Sequence, residues 1–471
     1  MNVTETDRLK NAFTSVLAAT ARQIPDILTI QQIESQRFLI SHFEEVVNSY
    51  IENLADDDLI WPFIGLGRFY ENQGLYDQSE PWRQKCLDTA LKRFGKSEHN
   101  VIVSLTNIAN TYYLRGNYSQ AEPLLIEAIK FWEESGCDRE PVFATSLNNL
   151  ANIFKEEAQY ERSESLFIQV LNLRRNILND NDPDIAVSLN NLANLYSAQY
   201  RHSEAEILHL EALGRFRSIF GNEHFHVAMS SENLGIAYQC QKSYDKAEPL
   251  LIQALEMRER LHGSEHPDVA LSLGNLGALY EVQECYDKAE PILSRALDIC
   301  KRCFGDKHLN VAQNLHTLGK LYKNLRNYEK AESLYLEALE IQQHFLGKVY
   351  DTVATTLNNL AGLYSVEQRY SEAGFIYIQA LEIKRQVFGA DNSTIAIGLS
   401  NLAHLYADWG HDHKAEPIFQ QALAMLTKCV GEDHPDTITV MENLLALRLR
   451  MITKTHVKKK RKSNMAILQE L

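Results

Sequence analysis

One period constrains this chain more than any other feature. Stepping by 42 residues from Asn191 lands on Asn107, Asn149, Asn233, Asn275, Asn359, Asn401 and Asn443, and only Gly65 and Thr317 break the series. The next residue is always apolar (Leu66, Ile108, Leu150 through Leu444), and the one after it is small in nearly every unit. Three positions further on stands an aromatic such as Tyr112, Phe154, Tyr196 or Tyr238. Residues at this spacing lie along one stripe of a helix, the small one letting a second helix approach closely. A second stripe, with Ala121, Ala205, Ala247 and Ala289 and then Ala128, Ala212, Ala254 and Ala296, belongs to that second helix. Two amphipathic helices cannot bury both stripes alone, so the units must stack on one another. The sequence therefore predicts an all-α fold, a right-handed α-solenoid superhelix of stacked antiparallel helix pairs.

Leu192, Ala193, Tyr196, Ala205 and Ala212 match the signature columns of the tetratricopeptide repeat, which the chain resembles. The long unit, with its NNLAxLY and Y-x-x-AEP strings, looks like the kinesin light chain type of repeat. The linkers Gly263-Ser264-Glu265-His266-Pro267-Asp268 and Gly431-Glu432-Asp433-His434-Pro435-Asp436 are similar to that type's G-x-x-HPD. Similar arrays also follow the nucleotide-binding module of bacterial STAND-type signalling NTPases (the NB-ARC class). The resemblance covers roughly residues 60–450. It implies a scaffold that binds a peptide segment or partner protein. A cargo adaptor for a microtubule motor and the detached sensor array of a STAND-type NTPase are the alternatives.

The expected organisation runs in four parts. Residues 1–59 form an N-terminal helical cap, with Pro25 opening its second helix and Ile27, Ile30, Ile33, Phe38, Leu39, Phe43, Val46 and Val47 on one face. Residues 60–437 form nine repeats, 438–453 a C-terminal capping helix, and 454–471 a flexible basic tail. Asp184, Asp268 and Asp436 stand where helix N-caps are wanted, and Gly221, Gly263, Gly305, Gly347, Gly389 and Gly431 end the helices before them. Pro123, Pro249, Pro291 and Pro417 fall early in second helices, where a missing N–H costs least. Residues 136–141 replace the usual linker and predict a local irregularity.

Charge and composition narrow the function. The net charge is −15, and the basic residues Lys454, Lys458, Lys459, Lys460, Arg461 and Lys462 leave the remainder still more acidic. That opposes nucleic acid along the solenoid. No apolar run is long enough to span a membrane, and the first residues lack the apolar core of a signal peptide. Seven cysteines without framework spacing suit a reducing, cytoplasmic setting. Cys300 and Cys303 form a CxxC read as two solenoid cysteines, and His404, His411 and His413 as surface histidines, with no metal. Neither a phosphate-binding GxxxxGK[ST] nor HExxH nor G-x-S-x-G occurs, so the chain is read as no enzyme, with no cofactor.

In stacked helix pairs the first helices line the concave face. Asn offers donors and an acceptor without charge, so a ladder of amides can hold an extended peptide backbone. The candidate groove residues are Asn107, Asn110, Asn148, Asn149, Asn152, Asn190, Asn191, Asn194, Asn233, Asn275, Asn359 and Asn401. The competing reading is that the column bonds the adjacent helix and sets the stacking angle. A terminal-carboxylate clamp would put Lys or Arg beside the Asn; Thr106, Asn148, Asn190, Glu232 and Gly274 stand there instead. Protein or peptide is the expected partner, and a monomer is favoured over an oligomer.

Overall fold

Wherever the first helix of a pair crosses the second, one small residue meets one large one. The computed structural model describes residues 5–24, 30–95, 98–136, 141–389 and 391–470. The contacts separate two units, Met1–Gly347 and Lys348–Leu471. The first unit opens with α1 (Glu5–Arg22) and α2 (Ile30–Ser49). Seven antiparallel pairs follow: α3 (Trp61–Glu71) with α4 (Tyr76–Phe94), α5 (His99–Leu114) with α6 (Tyr118–Ser135), and α7 (Pro141–Glu156) with α8 (Tyr160–Ile177). Then come α9 (Pro183–Ala198) with α10 (His202–Phe220), α11 (Phe225–Cys240) with α12 (Tyr244–His262), α13 (Pro267–Val282) with α14 (Tyr286–Phe304), and α15 (Leu309–Asn324) with α16 (Tyr328–Leu346). The second unit holds α17 (Asp351–Val366) with α18 (Tyr370–Phe388), α19 (Ser393–Asp408) with α20 (Asp412–Val430), and α21 (Pro435–Glu470). Among the described residues every regular element is helical, an all-α repeat solenoid.

The small column works by volume. A Cβ on Gly277 would meet Leu293 at 2.4 Å, and one on Gly319 would meet Tyr335 at 2.9 Å. Where the first helix carries Ala, as at Ala151 and Ala403, the partner positions hold Phe167 and Phe419, both fully buried. Each turn between the paired helices then closes through a left-handed residue: Gly74, Gly116 and Gly410 in three pairs, but Ala158, Tyr200, Lys242, Glu284, Arg326 and Gln368 elsewhere. Bonds such as Gln159 N–H to Phe154 O, 2.8 Å, satisfy the last carbonyls of the first helix there. The second helices end differently. Gly263, at φ 83 and ψ 160, occupies a region open essentially to glycine alone.

Stacking between pairs in the first unit uses, in several of them, a bond from the first helix to the second helix before it. The hydroxyl of Tyr196 donates to Glu164 at 2.9 Å, Tyr238 to Glu206 at 2.7 Å, and Tyr280 to Glu248 at 2.8 Å. A cation covers each ring: Arg201 lies 3.8 Å above Tyr196, Lys246 4.7 Å above Tyr238, and Lys288 4.8 Å above Tyr280. Burial and then the Glu partner push the Tyr238 and Tyr280 hydroxyls up to about 12, so they remain donors. In the second unit Arg448 replaces the tyrosine and bonds Glu416 directly, at 2.7 Å.

Several sequence expectations need correction. The N-caps lie two residues before the predicted aspartates. Asp182 accepts the Asp184 N–H, and the Nδ1 atoms of His266 and His434 accept those of Asp268 and Asp436. Pro183, Pro267 and Pro435 impose this, because proline belongs at the first helical position and the cap precedes it. No boundary falls at 453; α21 continues to Glu470 through residues that favour helix, with no Gly or Pro to stop it. Ile33, Phe43, Val46 and Val47 join Leu17, Ala21 and Ile24 against α3, whereas Phe38 is 63% exposed because Ile40 takes the buried side of the stripe. Pro25, Ile27 and the linker 137–140 lie outside the described residues, and of the Ile30 side chain nothing is described.

The packing sets opposite signs for two glycines one turn apart on α13. Gly277→Ala is expected to cost about 1–3 kcal/mol through overpacking against Leu293. Gly274→Ala, with no atom within 4 Å of the added Cβ, should be neutral or stabilise by up to about 1 kcal/mol. Urea midpoints of the two variants check both.

Candidate functional site

The first pair departs from its column. Opposite the small residue the other pairs place Leu125, Phe167, His209, Leu251, Leu293, Tyr335, Tyr377 and Phe419; the first places Arg83. A Cβ on Gly67 would meet the Arg83 guanidinium at 2.3 Å, so the glycine leaves the room that the guanidinium occupies. Arg83 Nε and Nη2 donate to Glu71 at 3.1 and 2.8 Å, and Ser79 and Thr111 donate to the same carboxylate at 2.9 and 2.6 Å. Burial alone would raise the Glu71 carboxyl, but the Arg83 charge and these hydrogen bonds outweigh it and hold it below the usual range. Arg83 is 4% exposed, and its Nη1 is buried with no hydrogen-bond partner among the described residues.

Glu71 and Arg83 line a cavity of about 620 Å³ inside the first unit. Its inner wall comes from first helices: Arg68 on α3, Asn107 and Asn110 on α5, Thr145 and Asn149 on α7. Its far wall is Phe304, His308, Leu309 and Asn310, at the junction of α14 and α15. The two walls meet where His308 Nε2–H donates to Asn72 O at 3.0 Å. Because His308 Nδ1 accepts the Asn310 N–H at 3.1 Å, the proton must sit on Nε2. The contact joins residues 236 apart in sequence and curls the unit back on itself.

The twelve candidate asparagines divide. Asn107, Asn110 and Asn149 line the cavity and, like Asn194, Asn233 and Asn275, make no side-chain hydrogen bond with any described residue. The other six have partners. Asn191 donates to the Asn148 side chain at 2.8 Å and Asn401 to Asn358 at 3.1 Å, each bridging to the preceding first helix. Asn152 donates to Asn148 O at 3.1 Å, and Asn359 also has a partner. Asn190 is not a groove residue at all. It is 2% exposed, accepts from His209 Nδ1–H at 3.0 Å and lies 3.4 Å from Ser230. The column before the Asn series faces the neighbouring pair, as the Thr106–Ser146 and Glu232–Ser272 bonds at 3.0 and 2.8 Å also show. An unbroken amide ladder is therefore not what the first helices present. Gly65 explains one break in the series: a Cβ there already lies 3.1 Å from Ala21 and 3.3 Å from Phe43, because α1 and α2 take up the space beside it.

The tetratricopeptide repeat family profile matches residues 58–134, 142–218, 226–281, 272–344 and 352–428. The chain belongs to the tetratricopeptide repeat family. A search of curated proteins finds no match. Among solved structures this repeat protein is similar to BtubC (BKLC) from P. vanneervenii, at 26% identity over 49% of this chain and 91% of that chain, with a TM-score of 0.40. It is also similar to a putative kinesin light chain from Podosopora anserina with nearly identical TPR-like repeats, at 21% identity over 42% and 93% of the two chains, with a TM-score of 0.37. A Rap protein complexed with competence and sporulation factor matches at 16% identity over 82% and 99%, with a TM-score of 0.45.

Other residues singled out by sequence lie in the repeat framework. Cys300 and Cys303 are buried between α13, α14 and α15; burial pushes the Cys300 thiol up to about 12, and the Cys303 thiol donates to Glu265 O at 3.0 Å. The His411 and His413 rings sit edge to face at 6.0 Å beside Trp409. No helix among the described residues is long and apolar enough to cross a membrane. Sequence reasoning missed Arg83, Glu71, Arg68 and His308. A signal for the first existed in the alignment of units, since Arg83 alone puts a guanidinium in an otherwise packing column.

His209 yields a pH dependence. Burial lowers its pKa to about 4, and its Nε2 is enclosed without a partner among the described residues. The unfolded chain, with His near 6.5, takes up the proton first. Stability is therefore full above about pH 6.5 and is lost as pH falls through 4, by on the order of 3 kcal/mol at pH 4. His209→Phe, which copies the Ala151–Phe167 arrangement, should flatten the melting curve against pH between 6.5 and 4 relative to wild type.

Proposed function

We propose that this chain is a non-enzymatic protein-interaction scaffold, cytoplasmic, whose first unit holds a peptide segment of its partner in the cavity lined by α3, α5 and α7. One observation carries the reading. The amides of Asn107, Asn110 and Asn149 converge on a single concavity without a hydrogen-bond partner among the described residues, while the framework amides Asn190, Asn191 and Asn401 are engaged. A half-buried amide left open keeps its donors and acceptor for a ligand backbone. The cavity lies within the size range of ligand sites, and its polar groups stand on helices fixed by packing on both sides, as a preorganised site requires. The amides that remain open further along (Asn194, Asn233 and Asn275) would extend contact along the same face.

Binding and framework roles separate by mutation. Asn107→Ala with Asn149→Ala removes only open amides and should leave the melting temperature within the range of ordinary surface changes, about 0.5 kcal/mol. Asn190→Ala leaves His209 and Ser230 without a buried partner and should cost about 1–3 kcal/mol. In a lysate pull-down read by mass spectrometry, partners retained by wild type and lost by the Asn107/Asn149 variant support the groove. An unchanged partner set in that variant rejects it.

A further inference from the structure

The last helix of the second unit has two apolar faces, and the described residues cover only one of them. Val440, Leu444 and Leu447 are buried on the side where α21 packs on α19 and α20. The other stripe, Ile438, Met441, Leu445, Leu449 and Ile452, is 38–58% exposed. One repeat earlier, on α19, the first four of these columns hold Ala396, Leu399, Ala403 and Ala407, all buried. The small Ala403 there admits Phe419 of the second helix. Leu445 fills that column in α21, so no helix can approach it as closely as the helices of a pair approach each other. A helix packed on this stripe must stand further off, side chain against side chain. A contiguous apolar face of this kind marks an interaction site.

We infer that this face binds a second copy of the chain, the two α21 helices crossing antiparallel at Leu445. On a helix the five residues fall within an arc of about 80°, a narrow seam about 21 Å long. Their spacing reads the same from either end, with Ile438 and Ile452 seven positions from Leu445 and Met441 and Leu449 four. A twofold axis requires such a patch, in which residue i meets j and j meets i. Rotation about Leu445 sets Ile438 beside Ile452 of the second copy, and Met441 beside its Leu449. Met441 and Leu449 lie on opposite flanks of the seam, so they pack side by side and not tip to tip. Charge selects the direction. Glu432, Asp433 and Asp436 stand at the start of α21, and the basic run 458–462 follows the seam. Antiparallel copies carry each basic run past the acidic start of the other; parallel copies would set run beside run and repel. A pair of chains replaces the monomer expected from sequence, and the inference is independent of the groove reading above.

Sedimentation equilibrium of the full chain across roughly 0.1–100 μM should show the molar mass rising toward twice that of one chain. Leu445→Glu sets two carboxylates against each other at the crossing and should weaken pairing by about a hundredfold or more. Because Leu445 is 58% exposed within one copy, the variant should melt as dilute wild type does. It should lose the rise of melting temperature with concentration that pairing gives. A photoreactive residue in place of Ile438 reads the direction. Its crosslink should fall at or beside position 452, which lies about 21 Å away along the same helix and so out of reach within one copy. A single-chain mass throughout the range overturns the inference, as does a dimer that Leu445→Glu leaves intact. A crosslink from 438 to 438 marks parallel helices and overturns it as well.

Discussion

Everything in this molecule depends on how closely two helices of a pair can approach. The small residue of each first helix and the large residue of its partner fix that distance, as Gly277 with Leu293 and Gly319 with Tyr335 show. Once it is fixed, an apolar stripe is left on each side of the pair, and only another pair can bury it. The Tyr–Glu bonds then choose the stacking register. Tyr196, Tyr238 and Tyr280 each reach a carboxylate in the preceding second helix, with a cation over the face of the ring. Packing supplies the energy of this arrangement, while the polar bonds give it direction.

The first pair shows what happens when that rule is relaxed. Arg83 occupies a packing position and carries a charge that must be satisfied, so Glu71 pairs with it, and Ser79 and Thr111 donate to that carboxylate in turn. Local departures from a consistent pattern are where function is expected. The departure coincides with a place where remote pairs of the first unit meet, through His308 and Asn72. A charged group beneath the inner face, open amides upon it, and a wall brought from the sixth and seventh pairs together make a defined cavity out of a repetitive surface.

The period made the fold legible, because each unit repeats the same statement about which residues are small, apolar or aromatic. The site was legible only in part. Sequence spacing located the first helices and their inner face, yet it could not say which of two adjacent asparagines turns toward a neighbouring helix. A rotation of one residue separates Asn190, enclosed with His209, from Asn191, bridged to Asn148. The caps were misplaced by two residues because histidine Nδ1 does at His266 what Asp182 does in an earlier pair. The contact between His308 and Asn72 lies outside the repeat altogether. It follows from curvature accumulated over the intervening pairs, which no single unit encodes.

The claim that the ligand lies against α3, α5 and α7 is tested most directly by site-specific photocrosslinking to a captured partner. One photoreactive residue would replace Asn149 on the cavity wall, and another would replace Ile168, which is 39% exposed on α8. Crosslinks from position 149 and none from 168 are the predicted result. Crosslinks from 168 with none from 149 would place the partner on the second helices and contradict the account.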